Sequence, residues 1–198
     1  MSAVAVLFAR SDSVYFSLPD VDVWDIMRDA RKWRGGCPVV AHPPCRAWGR
    51  LRAFSRHSPD EMELARLAVE LVRRWGGCLE HPQGSTLWRD QALPLPWKGR
   101  DSFGGWTLPI HQWQWGHRAE KATWLYIVGC DSSALPPLPD LVIGDPTHVV
   151  QTRKRQGHRP DITKPEREHT PPALASWLVE LARRCDTRRA EALREVTL

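Results

Sequence analysis

The segment from residue 38 to residue 82 constrains the fold more than any other part of this chain. Its first apolar stretch, Val39-Val40-Ala41, is typical of a short buried strand, and it stops at His42-Pro43-Pro44-Cys45. Proline cannot donate to a strand ladder, so the chain must leave the sheet here and present Cys45 on a stiff turn. Reactive groups of α/β proteins tend to lie at such strand ends. The turn therefore marks Cys45 as a candidate nucleophile.

A helix and a second strand follow this turn. Ser58-Pro59-Asp60-Glu61 predicts a helix that begins with Ser58 as its N-cap and with Glu61 closing a capping box. Apolar residues keep helical spacing as far as Trp75, and Gly76-Gly77 ends the helix. Cys78-Leu79-Glu80-His81 is the next short strand, stopped by Pro82. Because the carboxyl ends of parallel strands meet at one edge of a sheet, this unit is expected to place Cys45 and Glu80 together.

The remaining segments predict an α/β protein with a mostly parallel sheet and helices on both faces. Residues 124–128 have the pattern of a strand, and residues 111–115 are its expected hairpin partner. Thr170-Pro171-Pro172 starts a final helix. We expect one domain over residues 1–185 and a C-terminal tail over residues 186–198 that frays. Further expectations are strands at residues 3–9 and 20–24, a short helix at 25–33 and an ordered loop at 84–109.

Composition narrows the environment and the partners. The net charge is +5 and the sequence pI is about 9.2, which permits a polyanionic partner such as DNA. No apolar run approaches the roughly 20 residues of a membrane span, and the N-terminus lacks the features of a signal peptide. Five cysteines at irregular spacing argue against a disulfide framework. We therefore expect a cytoplasmic protein that binds DNA and no membrane.

A thiol and a carboxyl group in one cleft can perform a specific reaction. A thiolate can add to C6 of a pyrimidine ring, and a carboxylic acid can stabilise the adduct by hydrogen bonds at N3 and the exocyclic amine. C5 of the ring then becomes nucleophilic. Trp48, just after Cys45, is a candidate wall of the pocket for the base.

Four segments, in this order, resemble motifs of the cytosine-5 DNA methyltransferases, especially small forms from phages and prophages. Ala41-His42-Pro43-Pro44-Cys45 resembles the Pro-Cys loop of that family, and Leu79-Glu80-His81-Pro82 resembles its Glu-Asn-Val strand end. Residues 115–125 resemble its later basic motif, and residues 167–173 resemble the start of its closing helix. The resemblance covers about residues 38 to 182.

The resemblance implies a methyltransferase-like, Rossmann-like domain and a role for each matched residue. Cys45 would be the nucleophile, Glu80 the partner of N3, and Lys121 or Arg118 a contact to the base or a phosphate. The protein would act on a cytosine that is flipped out of the DNA stack. It would be a phage or prophage protein in the cytoplasm of a bacterium. Contacts to the substrate are expected from Pro44, Arg46, Trp48, His81, Arg118, Lys121 and Thr123, and contacts to DNA from Arg153, Lys154, Arg155 and Arg159.

The cofactor part departs from the family pattern. The family binds S-adenosylmethionine at a glycine-rich turn after its first strand, whereas this chain has Ala9-Arg10-Ser11-Asp12-Ser13 there, without glycine. The missing glycines therefore disfavour S-adenosylmethionine without excluding it, and the cofactor is open to being altered or absent. Asp20, Asp22 or Asp25 is the candidate for its ribose, with Asp22 preferred. A second protein chain is a further possible source of the cofactor-binding part.

Three other interpretations stay open from the residues alone. Cys45 is also compatible with a packed, inert cysteine, since free cysteines are often buried. The chain is compatible with a non-catalytic binder of DNA or of a host protein, such as a decoy or anti-restriction factor, and with the catalytic half of a split enzyme. Zinc at Cys37, His42, Cys45, Cys78 and His81 is disfavoured, because Cys78 and His81 would point to opposite faces of a strand.

Overall fold

Six strands and four α-helices form within the part of the chain that the computed structural model describes, residues 3–50, 52–140, 144–150 and 159–185. The strands are β1 Val4–Leu7, β2 Val21–Trp24, β3 Val39–Ala41, β4 Gly77–Pro82, β5 Trp106–His111 and β6 Ala122–Val128. The helices are α1 Pro59–Trp75, α2 Leu87–Asp90, α3 Lys164–Glu168 and α4 Pro172–Arg183. Short 3-10 helices lie at Val14–Ser17, Ala30–Lys32, Arg52–Phe54, Gln112–Trp115 and Ser132–Ala134.

All six strands join one mixed sheet in the order β2-β1-β3-β4-β6-β5. The first four are parallel, and β6 runs antiparallel to both β4 and β5. The expected α/β class, the mostly parallel sheet and the antiparallel hairpin are confirmed. Since β6 runs against β4, its first residues lie beside the last residues of β4, with Thr123 opposite Pro82.

Alternating side chains divide the core into two layers, one on each face of the sheet. Val4 and Val6 of β1 pack with Leu174, Leu178 and Leu181 of α4. Ala5 and Leu7, which point to the opposite face, pack with Ala65, Val69 and Val72 of α1. Residues i and i+2 of a strand share a face, so the pattern of these short strands assigns each helix to its side. The predicted helices on both faces are confirmed.

A glycine pair makes the tight connection from α1 to β4. Gly76 caps the helix with φ 72°, and its N–H donates to the Val72 carbonyl at 2.9 Å. Gly77 has φ 113°, and a Cβ there would overlap the carbonyl oxygen of Val39 on the neighbouring strand. Only glycine fits a conformation of this kind so close to another backbone. The connection therefore brings β4 directly beside β3 without an intervening loop.

The sequence-based expectations were wrong in several local details. The hairpin partner of β6 is Trp106–His111, while residues 112–115 form a 3-10 helix, because Pro109 in the strand hid its alternating pattern. The expected loop at 84–109 contains α2 and the start of β5, and residues 25–33 form only a 3-10 turn. Ser58 is the N-cap of α1 but its side chain makes no capping hydrogen bond. The tail at 186–198 lies outside the described residues.

Within those described ranges, none of the helices combines the length and the apolar character that crossing a lipid bilayer requires.

Candidate active site

The turn after β3 presents Cys45 at the carboxyl edge of the parallel strands. The Cys45 carbonyl accepts hydrogen bonds from the N–H groups of Trp48, at 3.0 Å, and Gly49, at 2.9 Å, which close a helical turn. Arg46 reaches α1, where its Nε donates to Glu61 Oε2 at 2.6 Å. Glu61 therefore anchors the turn instead of closing the expected capping box. Cys45 is an exposed residue of this turn, although neighbouring groups bury much of the surroundings of its thiol.

Glu80 approaches the same edge from β4. It shares the α4 face of the sheet with Cys78, two residues earlier, and its side chain is 14% exposed. Its Oε1 accepts a hydrogen bond from Gln112 Nε2 at 3.0 Å, and its Oε2 lies 3.2 Å from His42 Nδ1. Both oxygens are held, one by the segment before β6 and one by the Cys45 turn, which fixes the carboxylate plane.

Positive charges keep Glu80 ionised in spite of its burial. Burial raises the pKa of Glu80, but the hydrogen bond from His42 and the charges of Lys121, His42 and His81 outweigh it and hold that pKa at about 2. At neutral pH the group is a carboxylate. It can accept hydrogen bonds from an exocyclic amine or from a protonated ring nitrogen, but it carries no proton of its own to give.

The Cys45 thiol is kept protonated by its surroundings. The protein around its sulfur removes part of the solvent and raises its pKa, the Glu80 carboxylate raises this pKa further, and the Lys121 ammonium lowers it. The interaction with both groups shows that thiol, carboxylate and ammonium share one region. Because the thiolate is the reactive form, the balance between Lys121 and Glu80 sets how much nucleophile is present.

Lys121 enters this region from the residue just before β6. Its backbone is left-handed, with φ 40°, a conformation that costs a non-glycine residue energy. Its Nζ donates to the His169 carbonyl at 3.1 Å, at the connection between α3 and α4. Burial lowers the pKa of Lys121, while Glu80, Cys45 and Glu168 act in the opposite direction. The Lys121 ammonium is therefore held at the α3–α4 connection, from where its charge lowers the pKa of both Cys45 and Glu80.

Three other residues that were predicted to contact the substrate are buried in the core. His81 is completely buried on the α1 face of the sheet, where its Nδ1 lies 2.7 Å from Ser85 Oγ and its ring stacks on Trp88. Trp48 is 2% exposed and packs in the same layer, and Thr123 is 1% exposed. β-Strand alternation or core packing turns each of these side chains inward, and their direct contact with the substrate stays a prediction. Thr123 instead accepts from Gln112 Nε2 at 3.1 Å and so supports the Glu80 contact.

Two arginines of the predicted site are engaged by carboxylates of the chain. Arg118 forms a bidentate pair with Glu166 of α3, both contacts at 2.6 Å, and Arg46 pairs with Glu61. Arg118 therefore ties the turn before β6 to α3, and Arg46 anchors the Cys45 turn. Pro44 is half-buried between the turn and the sheet. Of the predicted substrate set, Lys121 is the residue that the fold brings to Cys45 and Glu80.

A basic and aromatic surface continues from the Cys45 turn. The segment at residues 50–57 carries Arg50, Arg52, Phe54 and Arg56, and all four residues are exposed. Phe54 is 87% exposed, which is unusual for a large apolar side chain. The predicted DNA contacts Arg153, Lys154 and Arg155 lie outside the described residues, and Arg159 is exposed with its Nη1 donating to the Pro146 carbonyl at 2.8 Å.

The loop after β1 does not fit S-adenosylmethionine in the way a glycine-rich turn would. Arg10 donates from Nε to Asp12 at 2.8 Å and from Nη1 to Glu168 at 2.5 Å, and His169 Nε2 lies 3.1 Å from Asp12. Phe8 has φ 62° at a place where only glycine is unstrained. Side chains and ion pairs thus fill the loop that a cofactor would need to approach through bare backbone.

Asp22 does not offer a free carboxylate to a ribose. Its Oδ2 accepts from Trp24 Nε1 at 2.7 Å, and its Oδ1 accepts from Arg28 Nη1 at 2.6 Å. A ribose diol would have to displace one of these hydrogen bonds. Asp22 therefore does not fit the role of a ribose-binding residue. Among the described ranges, no group of three or more histidine, cysteine, aspartate or glutamate residues is arranged to hold a metal ion.

Sequence reasoning missed three residues that organise the site. Tyr15 is 1% exposed and its hydroxyl lies 2.8 Å from His42 Nε2, while His42 and Gln112 hold the two Glu80 oxygens. His42 was accessible to sequence analysis, because it is three residues before Cys45 at a predicted strand end. Tyr15 and Gln112 carried no such signal, since their place depends on the hairpin and on the loop after β1.

Comparison with protein-family models, characterised proteins and solved structures finds no match to this chain.

Proposed function

We propose that this protein modifies a pyrimidine base of DNA through a covalent adduct on Cys45, with Glu80 recognising the activated ring. The observation that carries the proposal is an exposed cysteine on the same turn as His42, whose Nδ1 lies 3.2 Å from the buried Glu80 carboxylate at the carboxyl edge of the parallel strands. The motif resemblance to cytosine-5 DNA methyltransferases supports the same chemistry. A methyltransferase-like, Rossmann-like domain is the finer fold that we propose, supported by parallel strands followed by an antiparallel pair.

The first step forms one bond and breaks one. The Cys45 thiolate attacks C6 of a flipped cytosine, an S–C6 bond forms, the C5–C6 π bond breaks, and the electron pair moves through the ring to N3, which takes up a proton. C5 is then an enamine carbon. It accepts a proton from solvent, loses the original hydrogen, and elimination regenerates the thiolate and the free base. The balanced result without any co-reactant is exchange of the C5 hydrogen with solvent.

The surrounding charges suit this sequence. Lys121 lowers the pKa of Cys45 and stabilises the thiolate before attack. The ionised Glu80 accepts hydrogen bonds from the exocyclic amine and, after N3 is protonated, from the N3–H group. Since N3 becomes an N–H donor only in the adduct, the carboxylate stabilises the adduct more than the free base.

DNA as the substrate is supported by charge and by position. The chain carries 28 Lys and Arg against 23 Asp and Glu, and three exposed arginines with Phe54 follow the nucleophile turn directly. Arginines neutralise phosphates, and an exposed aromatic ring can stack on a base or fill the space that a flipped base leaves.

The test is hydrogen exchange at cytosine C5 in heavy water. Purified protein and a DNA duplex are incubated in D₂O, the DNA is digested to nucleosides, and deuterium in cytidine is measured by mass spectrometry. We expect deuterium with the wild-type protein and none with Cys45→Ala. Cys37→Ala is the matched control, because Cys37 precedes β3 at the opposite edge of the sheet and should leave exchange unchanged. Unlabelled cytosine with folded wild-type protein bound to DNA would contradict the proposal.

A second candidate function is favoured by the ion pairs after β1. Arg10, Asp12, Glu168 and His169 tie this loop to the α3–α4 connection, which is compatible with a methyltransferase-like binder that holds DNA or a host protein without catalysis. A split enzyme, with the cofactor part on a second protein chain, remains a prediction. Binding of DNA by Cys45→Ala with wild-type affinity, together with no exchange by the wild type, would favour the non-catalytic binder.

A further inference from the structure

Glu80 leaves one requirement of the adduct unmet. Attack at C6 delivers an electron pair to N3, and N3 of cytosine needs a proton at that moment. Glu80 is ionised and has none to supply. Its nearest titratable neighbour is His42, whose Nδ1 lies 3.2 Å from Glu80 Oε2. His42 and Glu80 side chains are 12% and 14% exposed, so a proton shared between them is shielded from bulk water.

His42 is held from its other side by a buried hydroxyl. Tyr15, in the 3-10 helix Val14–Ser17, places its hydroxyl 2.8 Å from His42 Nε2, and the two ring centroids are 5.3 Å apart. A phenol hydroxyl can donate or accept. In the free protein it donates to Nε2 when His42 is neutral with its proton on Nδ1. It accepts from Nε2–H when His42 is an imidazolium or has just given up its Nδ1 proton. Tyr15 accommodates both protonation states by rotation of one O–H bond.

We propose that His42 is a positioning residue that stores the proton required at N3 and passes it through Glu80. This inference rests on the proposed function. The imidazolium Nδ1–H proton moves to Glu80 Oε2, the carboxylic acid gives a proton to N3, and His42 is left neutral with its Nε2–H donating to Tyr15. When the base is released the proton returns along the same groups. No other reactant is consumed.

The groups around His42 define the expected pH dependence. Tyr15 faces His42 from the 3-10 helix, and Glu80 faces it from β4. Cys45 lies on the same turn as His42, and Lys121 acts through Glu80. The buried Cys78 affects Tyr15. The pKa of Tyr15 is raised well above its usual value by burial, so this group stays protonated. Exchange should fall at low pH as Cys45 is protonated, and fall at high pH, where the protein no longer supplies a proton to N3.

The kinetic test replaces His42 by a residue that keeps one hydrogen bond but binds no proton. In His42→Asn the amide nitrogen takes the place of Nδ1 and still donates to Glu80. We expect the rate of C5 exchange at its optimum to fall by about 10²-fold and the decline at high pH to disappear, leaving a rate that rises with pH through Cys45. Cys37→Ala, which changes a residue at the opposite edge of the sheet, is the control and should keep the wild-type profile. An unchanged decline at high pH in His42→Asn would overturn the inference.

A second measurement needs no substrate. Nitrogen-15 NMR of histidine-labelled protein distinguishes the two neutral imidazole tautomers, and the His42 signals are assigned by their loss in His42→Asn. We expect neutral His42 to be the Nδ1–H tautomer, because Glu80 accepts at Nδ1 and Tyr15 donates to Nε2. The Nε2–H tautomer would overturn the inference even if exchange were observed. Absence of exchange in the wild type would instead overturn the proposed function itself.

Discussion

A thiol placed between a carboxylate and an ammonium group has a reactivity that depends on the balance of two opposite charges. At Cys45 the loss of solvent and Glu80 both raise the pKa, and Lys121 lowers it. The Cys45 thiol therefore stays protonated at neutral pH. Binding of a base over Glu80 would remove part of that restraint, because hydrogen bonds to the carboxylate spread its charge.

Alkylation of Cys45 by iodoacetamide measures this balance without any substrate. Lys121→Gln removes the ammonium, so the pKa of Cys45 rises and alkylation at pH 8 slows by about threefold. Glu80→Gln removes the negative charge and should accelerate alkylation by a similar factor. The rate is followed by mass spectrometry of the peptide that contains Cys45. Equal rates in both variants would show that neither charge acts on the thiol.

At the scale of one element, β4 serves the site and the core with alternate residues. Glu80 points to the α4 face and the site, while Leu79 and His81 point to the α1 face. Burial lowers the pKa of His81 to about 4, against the opposing effects of the Glu80 carboxylate and the Pro44 carbonyl. A strand of six residues thus carries both an ionised group and a neutral histidine side by side.

This buried histidine predicts a loss of stability in mild acid. The folded-state pKa of His81, about 4, is below the ordinary value of 6.5, so the unfolded chain takes up the proton first. The stability is fully present above pH 6.5 and falls by about 3 kcal/mol as pH drops towards 4. Urea denaturation between pH 7 and pH 4 measures it. His81→Asn should lose this slope, whatever its stability at pH 7, and a wild-type slope in the variant would contradict the assignment.

A second prediction for β4 concerns the connection that leads into it from α1. Gly77→Ala introduces a Cβ into the Val39 carbonyl and forces alanine to φ 113°, so it should cost about 3 kcal/mol of unfolding free energy. Gly99→Ala is the matched control, because Gly99 also has positive φ but open space around its Cβ position. We expect the control to cost about 1 kcal/mol. Chemical denaturation of both variants separates the overlap from the backbone strain.

At the scale of the whole molecule, positive charge follows the nucleophile turn at the edge where the parallel strands end. Arg50 and Arg56 are exposed in this segment, whereas Arg74 and Lys98 are exposed near the opposite edge, where α1 ends and β5 begins. The two pairs carry the same charge. They therefore distinguish a local DNA-binding surface from a general attraction between a basic protein and DNA.

DNA affinity as a function of salt compares these pairs. The double variant Arg50→Gln with Arg56→Gln should reduce the slope of log affinity against log salt concentration by about 2, since each lost phosphate contact reduces it by about one. The charge-matched variant Arg74→Gln with Lys98→Gln should keep the wild-type slope. Fluorescence anisotropy with a labelled duplex measures both. An equal decrease in the two variants would contradict a binding surface beside Cys45.

The sequence predicted the parallel strands well, but it predicted the residues around Cys45 and Glu80 only in part. Strand patterns and the helix start at Ser58 follow from local residue types, so β3, α1 and β4 lie close to their expected bounds. The burial of His81, Trp48 and Thr123 was not predicted, because short strands do not reveal which face is open. Tyr15 and Gln112 reach the site through distant parts of the chain. Such contacts depend on the assembled sheet and leave no local pattern.

The reversed direction of β6 has a consequence for how this architecture can vary. Its first residues, and the 3-10 helix and turn at residues 112–121 before them, border the carboxylate and the thiol, while Val128 at its other end pairs with Gly77 on the far side. Lengthening the chain before Ala122 would reshape the surface beside Cys45 and Glu80. Lengthening it after Val128 would enlarge only the far side of the protein. Evolution or design can thus alter the surroundings of these two residues at one end of a single strand without disturbing its other end.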